Sequence, residues 1–368
     1  MSVKTVYSKH TTVNDAVADL QTQAKHFNAQ MVLYFASSVY DPAQLSAEMQ
    51  QAFSGTTVVG CSTAGELVSG QMLKGSIVAM LMDAETIRDV RVEVVEQVSG
   101  EDPVADAFSR FEAYFHTPMA AMDVEKYVGL ILMDGVTRSE ERVMEKIGDL
   151  TSVIFVGGSA GDDLRFEKTF VYANGKAYAD AAVLVLLEPA KGFDVIKTQS
   201  FRSTGKILEA TQVDEAARKV FTFNQKPALQ AYAEALGVTT EEARRLFMRH
   251  PLGLMMGSEP YVRSPMRADQ DEITFYCNIR QGMRLHILEN TDIIRETRQA
   301  IEEKQAAFGP MGALINFNCI LRTLEMESKG LTQQYGELFS DIPTVGFSTY
   351  GEEYIGHVNQ TATMLVLK

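Results

Sequence analysis

One pattern stands near both ends of the 368-residue chain. Val59, Gly60, Ser62, Gly65 and Glu66 in VVGCSTAGEL spell V-G-x-S-x-x-G-E, and Val345, Gly346, Ser348, Gly351 and Glu352 in TVGFSTYGEE repeat that spacing, with Thr63 and Thr349 also matched. A third copy, one residue shorter, is VGGSAGDD, with Val156, Gly157, Ser159, Gly161 and Asp162. Glycines supply positive φ or close backbone approach, Ser and Thr supply hydroxyls, and successive backbone N–H groups in such a turn form an anion-binding nest. A carboxylate after the last glycine sits at a strand end, placed to grip an ammonium group or a bound cation. The candidate ligand-binding residues are therefore Gly60, Ser62, Thr63, Gly65 and Glu66, then Ser159 and Asp162, then Ser348, Thr349, Tyr350, Gly351 and Glu352. The plain alternative is that these turns only join strands while Glu66 and Glu352 pair at the surface. Recurrence favours the ligand reading, because open α/β sheets bind ligands at matched turns at strand ends.

Other chemistry is less well signalled. Gly157-Gly158-Ser159-Ala160-Gly161 satisfies the G-x-S-x-G nucleophile elbow, but an elbow needs a helix directly after its serine. Here the chain continues into what reads as two strands joined at Asn174-Gly175, so a hydrolase through Ser159 is not expected. The six histidines, His10, His26, His116, His250, His286 and His357, have no i, i+4 or H-x-H spacing, so no preformed zinc site is indicated. Single iron ligation needs only one imidazole, which keeps His250, His286 and His357 as candidates. Cys61, Cys277 and Cys319 are far apart and lack a C-x-x-C pair or the C-x-x-C-H of covalent haem attachment, so they read as small buried hydrophobes. Arg263 and Arg267 in YVRSPMR suit carboxylates such as haem propionates, or the protein's own surplus acids.

The elements that must position the turns recur with them. Each copy follows an apolar run (MVLYFASS, VGLILMDG, ALINFNC), then a helix-like segment (PAQLSAEMQQAF, RSEERVMEKIGDL, ILRTLEMESKGLTQQYGELF), and precedes another apolar run (SIVAMLM, AAVLVLL, ATMLVLK). Val, Ile and Leu crowd these runs without alternation, as in strands covered on both faces. The unit is strand, helix, strand ending in a Gly-Ser turn, strand, and the fold class is α/β with mixed sheets covered by helices. Thr12 opens an amphipathic helix, Thr239 and Glu242 make a capping box, and a helix from Thr291 stops at Gly309-Pro310. A boundary falls between Lys191 and Pro227, after which DEAARKVF and PALQAYAEALG read as helices.

Composition bounds the function classes. Hydrophobic types make up 46% and charged types 22%, which is globular. A net charge of −14 without a compensating basic patch argues against nucleic acid and anionic membrane surfaces as partners. No apolar run approaches the roughly 18 residues of a membrane span, and the start has no leader pattern, so a soluble cytoplasmic protein is expected.

Together VVGCSTAGE, VGGSAGDD with YANGKAYADAAVLVLL, and GFSTYGEEYIGHVNQTATMLVL resemble the FIST family of sensory proteins over nearly the whole chain. The resemblance implies two related FIST modules: a helical lead-in at 1–28, a FIST N-terminal domain at 29–225 and a FIST C-terminal domain at 226–368. It also implies an intracellular sensor of small ligands, amino acids or their derivatives among them, that signals through other proteins and has no catalytic centre of its own. The segments GGSAGDDLRFEKT, FDVIKTQSF, FYCNIRQG, CILRTLEME and STYGEE with HVNQT are similar to the haem-binding, nitric-oxide-sensing members. That closer likeness implies haem b as cofactor, nitric oxide as signal, and a histidine kinase or cyclic-di-GMP enzyme as partner. Where it leads one to expect a histidine in the KTQ-x-F segment, this chain has Ser200, and the iron ligand stays open among His250, His286 and His357. The rival expectation is the same scaffold without haem, binding an amino-acid-like solute between the Gly-Ser turns and the acids Glu66 and Glu352.

Overall fold

The computed structural model describes residues 2–100 and 104–368. The chain divides into two compact units: Met1–Lys197 with Arg298–His357 and Ala362–Lys368, and Thr198–Thr297 with Val358–Thr361.

The first unit holds all three copies of the turn. In each, two strands run parallel and the turn ends the second: Met31–Ser37 with Thr57–Thr63, Val128–Met133 with Phe155–Ser159, and Ala313–Cys319 with Thr344–Thr349. A closing strand then returns antiparallel to the first of each pair: Ile77–Met82, Ala181–Pro189 and Thr361–Leu367. Between turn and closing strand each copy makes a short hairpin, and that hairpin leaves its own sheet. Glu66–Val68 and Gln71–Leu73 of the first copy extend the third sheet beside Thr344–Thr349. Val171–Ala173 and Lys176–Tyr178 of the second extend the first sheet beside Thr57–Thr63. Glu352–Tyr354 and His357–Val358 of the third extend the second sheet beside Phe155–Ser159. The exchange is cyclic, and each sheet reaches six strands with one further edge strand: Val3–Ser8, Ile87–Glu96 or Phe193–Gln199. The segment 1–28 thus contributes that edge strand as well as the helix Val13–Gln23.

The inward faces of the three sheets share one apolar core. Phe35, Phe317 and Phe347 meet in it, with ring centroids 4.6 Å apart for Phe35 and Phe347 and 6.0 Å for Phe317 and Phe347. Helices cover the outward faces, which explains the unalternating apolar strands: both sides are buried. Val13–Gln23 is capped by Thr12 and Pro42–Ala52 by Asp41, whose side chains accept the N–H of Asp15 and Gln44.

The second unit is mainly antiparallel strands with two short helices, Ala228–Leu236 and Thr240–Arg244, the latter carrying the Thr239–Glu242 capping box. One helix expectation fails here. DEAARKVF forms a turn, with Arg218 at φ 53°, and then the strand Lys219–Phe223. Its strong helix formers are overridden by tertiary packing: Val220 and Phe223 are buried in the apolar core of this unit, opposite Val213 and Ala210 across a shift of strand register.

Candidate functional site

The three turns are equivalent in geometry. In each, the serine N–H donates to the carbonyl of the residue that opens the incoming hairpin: Ser62 to Phe170 at 2.8 Å, Ser159 to Gly351 at 2.9 Å, and Ser348 to Gly65 at 2.8 Å. The glycine two residues earlier faces a backbone carbonyl of the neighbouring parallel strand too closely for any side chain. A Cβ at Gly60, Gly157 or Gly346 would lie 2.1, 1.8 or 2.1 Å from the oxygen of Tyr34, Ile131 or Asn316.

Equivalent frames carry different contents. In the first repeat, Tyr34 and Tyr172 stack across the bare Gly60, rings 5.5 Å apart and nearly parallel. Beyond them, at the carboxyl ends of the parallel strands, lies a cavity of about 170 Å³ lined by Ser38, Tyr40, Pro42, Ser62, Asp162, Arg165, Glu167, Lys168, Phe170 and Tyr172. Ser62 is buried, its Oγ accepting the Phe170 N–H at 2.9 Å, while Arg165, Glu167 and Lys168 are exposed at the mouth. Arg165 reaches Ser38 Oγ at 2.6 Å, and the Lys168 ammonium lies 5.0 Å from the centre of the Phe170 ring. Asp162 shapes the mouth from within. Its carboxylate accepts N–H bonds from Phe166, Glu167 and Lys168 at 2.8, 2.7 and 3.0 Å and a hydrogen bond from the Tyr350 hydroxyl. Burial pulls the Asp162 carboxyl upward, but those four bonds outweigh it and hold it below the usual range.

In the second repeat the corresponding place is filled. Ser159 Oγ donates to Glu353 Oε1 at 2.8 Å, and the buried His357 has Nδ1 3.8 Å from that same oxygen. Burial alone would lower His357, yet the carboxylates of Glu141, Glu353 and Glu140 raise it to about 9, while burial raises Glu353. The chain after Ser159 is a loop leading to Val171–Ala173, with no helix to complete an elbow. In the third repeat Ser348 Oγ meets Thr323 Oγ1 at 2.8 Å, above a buried group of Asn318, Arg322 and Tyr335.

The candidate acids lie inside their own turns. Thr63 donates to Glu66, which also accepts the Ser76 N–H and hydroxyl at 3.0 and 2.6 Å, and Thr349 donates to Glu352 at 2.6 Å. Burial raises Glu66 to about 7. Of the residues singled out in the sequence, Ser62 and Asp162 line the cavity and Tyr350 reaches it through Asp162. Gly65 and Gly351 serve the turns, Gly351 lying directly against the His357 ring. The cavity's cations and aromatic walls were not singled out. The signal that could have found them is the polar segment DDLRFEK between the second turn and the Asn174-Gly175 hairpin.

His250 and His286, both half-buried in the second unit, have Nδ1 3.1 Å from the Leu288 carbonyl and 2.8 Å from Ser203 Oγ, while His357 belongs to the first unit. None of the three lines the cavity at the first turn. At about 170 Å³ that cavity is well below the roughly 300–1,000 Å³ of sites for drug-sized ligands, so a porphyrin does not fit it. Among the described residues no group of three or more His, Cys, Asp or Glu is placed to hold a metal ion, and no helix is long and apolar enough to cross a membrane.

Residues 30–226 match the FIST N domain and residues 228–354 the FIST C domain. An uncharacterized protein of Methanocaldococcus jannaschii is 24% identical over 279 residues, covering 70% of this chain and 53% of that protein. The chain spans about half the length of the curated relative it matches. A cyanuric acid hydrolase from A. caulinodans aligns over 76% of this chain and 98% of its own with 10% identity, but a TM-score of 0.20 carries no argument.

Proposed function

Because the chain belongs to the FIST family, whose domains point to a sensory, small-ligand-binding role in signalling, we propose that its ligand is an amino-acid-like zwitterion held in the cavity at the first Gly-Ser turn. The observation that carries this is the lining: two cations, Arg165 and Lys168, and one free-standing acid position, Glu167, at the mouth, with hydroxyls of Ser38 and Ser62 and rings of Tyr40, Phe170 and Tyr172 behind them. Arg165 and Lys168 take the carboxylate, Glu167 takes the ammonium group, and the rings receive a side chain. Asp162 is saturated by its four donors and serves as frame.

On this reading the chain senses without turning over its ligand and signals through a partner such as a histidine kinase or a cyclic-di-GMP enzyme. No step of this reading needs haem. The test screens the proteinogenic L-amino acids by thermal shift on the intact protein. A ligand in excess over its Kd stabilises by about 2.7 kcal/mol at a hundredfold excess, a shift of several degrees. An absorbance spectrum of the same sample with a stoichiometric Soret band, moving on addition of nitric oxide, would favour the haem sensor instead.

A further inference from the structure

The segment 162–168, which forms the mouth of the cavity, is held from both sides. Asp163, Leu164 and Phe166 have φ of 57°, 67° and 55°, a left-handed conformation that non-glycine residues adopt when their surroundings impose it. On one side Ser38 of the first repeat imposes it, donating to Asp163 Oδ2 at 2.6 Å and accepting from Arg165 at 2.6 Å. On the other side stands Tyr350, from the FIST C portion. Its hydroxyl donates to Asp162 and accepts the N–H of Leu164 at 2.8 Å and of Asp162 at 3.2 Å, while its ring stacks on Phe166 with centroids 4.5 Å apart. The turn itself does not require this phenol, because the first repeat has Ala64 at the equivalent position between Thr63 and Gly65.

We infer that Tyr350 is a positioning residue of the ligand cavity: it fixes the 162–168 segment through Asp162, so the FIST N cavity is completed from the FIST C portion and its occupancy is coupled to Tyr350. The identity of the ligand rests on the amino-acid reading above, whereas the clamp does not. A ligand that engages Arg165 competes with or reinforces the Ser38 contact, and the segment responds as one piece because Asp162 ties three of its amides to one carboxylate. Coupling of this kind is reciprocal, so a partner that displaces Tyr350 changes ligand affinity by the factor that ligand changes partner affinity.

The test compares the full-length protein with Tyr350→Phe, which removes one oxygen and keeps the stack on Phe166. Hydrogen exchange at the amides of Leu164, Phe166, Glu167 and Lys168 is expected to accelerate roughly ten- to a hundredfold, as for a lost bond to a charged group, with the strand amides of all three sheets unchanged. The affinity of the amino acid that best stabilises the wild type should fall at least fivefold, with the melting temperature lowered by only a few degrees. Unchanged exchange in the segment, or unchanged affinity, overturns the inference. If no proteinogenic amino acid binds the wild type, the ligand reading fails alone and the exchange result still decides the clamp. Should Tyr350→Phe not fold, Phe166→Leu, at a partly exposed position, loosens the other half of the clamp and is read in the same way.

Discussion

Ser348 donates its backbone N–H to the carbonyl of Gly65 at 2.8 Å, joining a turn near the C-terminal end of the chain to one near its beginning. Ser62 and Ser159 make the same bond to Phe170 and Gly351, so the three hairpin exchanges close on themselves. Gly65 has φ +132°, and a Cβ there would sit 3.2 Å from Ser348 Oγ. Gly65→Ala should therefore cost about 2 kcal/mol in urea unfolding. A loss below about 0.5 kcal/mol would show that the ring of exchanges does not depend on this contact.

Gly60 is the tighter constraint, since a methyl group would lie 2.1 Å from the Tyr34 carbonyl, a backbone atom that cannot rotate away. Gly60→Ala should destabilise by about 3 kcal/mol or more and separate the Tyr34–Tyr172 stack that backs the cavity. Denaturant midpoints measure the first effect and ligand-induced thermal shift the second. A stable variant with normal ligand response would contradict the packing described.

Ser159 is a donor to a buried carboxylate. Ser159→Ala should lower stability by about 1–3 kcal/mol, and Glu353→Ala by at least about as much, because it leaves the buried Ser159 hydroxyl without its acceptor and removes one of the three carboxylates that hold the His357 charge. Equal and negligible losses in the two variants, measured by calorimetry, would remove the buried pair from the account.

Stability should fall as pH rises from about 5 to 9. Burial holds Glu66 at about 7 against an ordinary 4.5, so its contribution is complete below 4.5 and lost as pH rises through 7. His357, at about 9 against 6.5, contributes fully below 6.5 and loses that contribution as pH rises through 9. Each step is on the order of 3 kcal/mol. In Glu66→Gln the lower step should disappear from the pH profile of the melting temperature and the upper one remain. A wild-type profile that rises across this range would have the wrong sign.

The three strand-turn units were legible because V-G-x-S answers a backbone need: the glycine clears the neighbouring carbonyl and the serine meets the incoming hairpin. Thr12, Thr239 with Glu242, and Gly309 marked helix ends for equally local reasons. The hairpin exchange was not legible, since strands as short as Glu66–Val68 pair through backbone groups that any sequence carries. Glu66 and Glu352 looked like ligand groups, although a threonine three residues earlier in both copies, Thr63 and Thr349, marked them as internal to the turn. Arg165 and Lys168 escaped notice because a charged loop reads as solvated surface until a fold places it over a cavity.

The most direct measurement is calorimetric titration of the full-length protein with the amino acid that stabilises it best, beside Arg165→Ala. One site per chain is predicted for the wild type, with affinity at least tenfold weaker in Arg165→Ala and a melting temperature lowered by no more than a few degrees, since the side chain is exposed and gives up only its bonds to Ser38 and the Asp162 carbonyl. Binding that ignores Arg165→Ala, or no binding by the wild type of any proteinogenic amino acid, would contradict the cavity at the first turn as the sensing site.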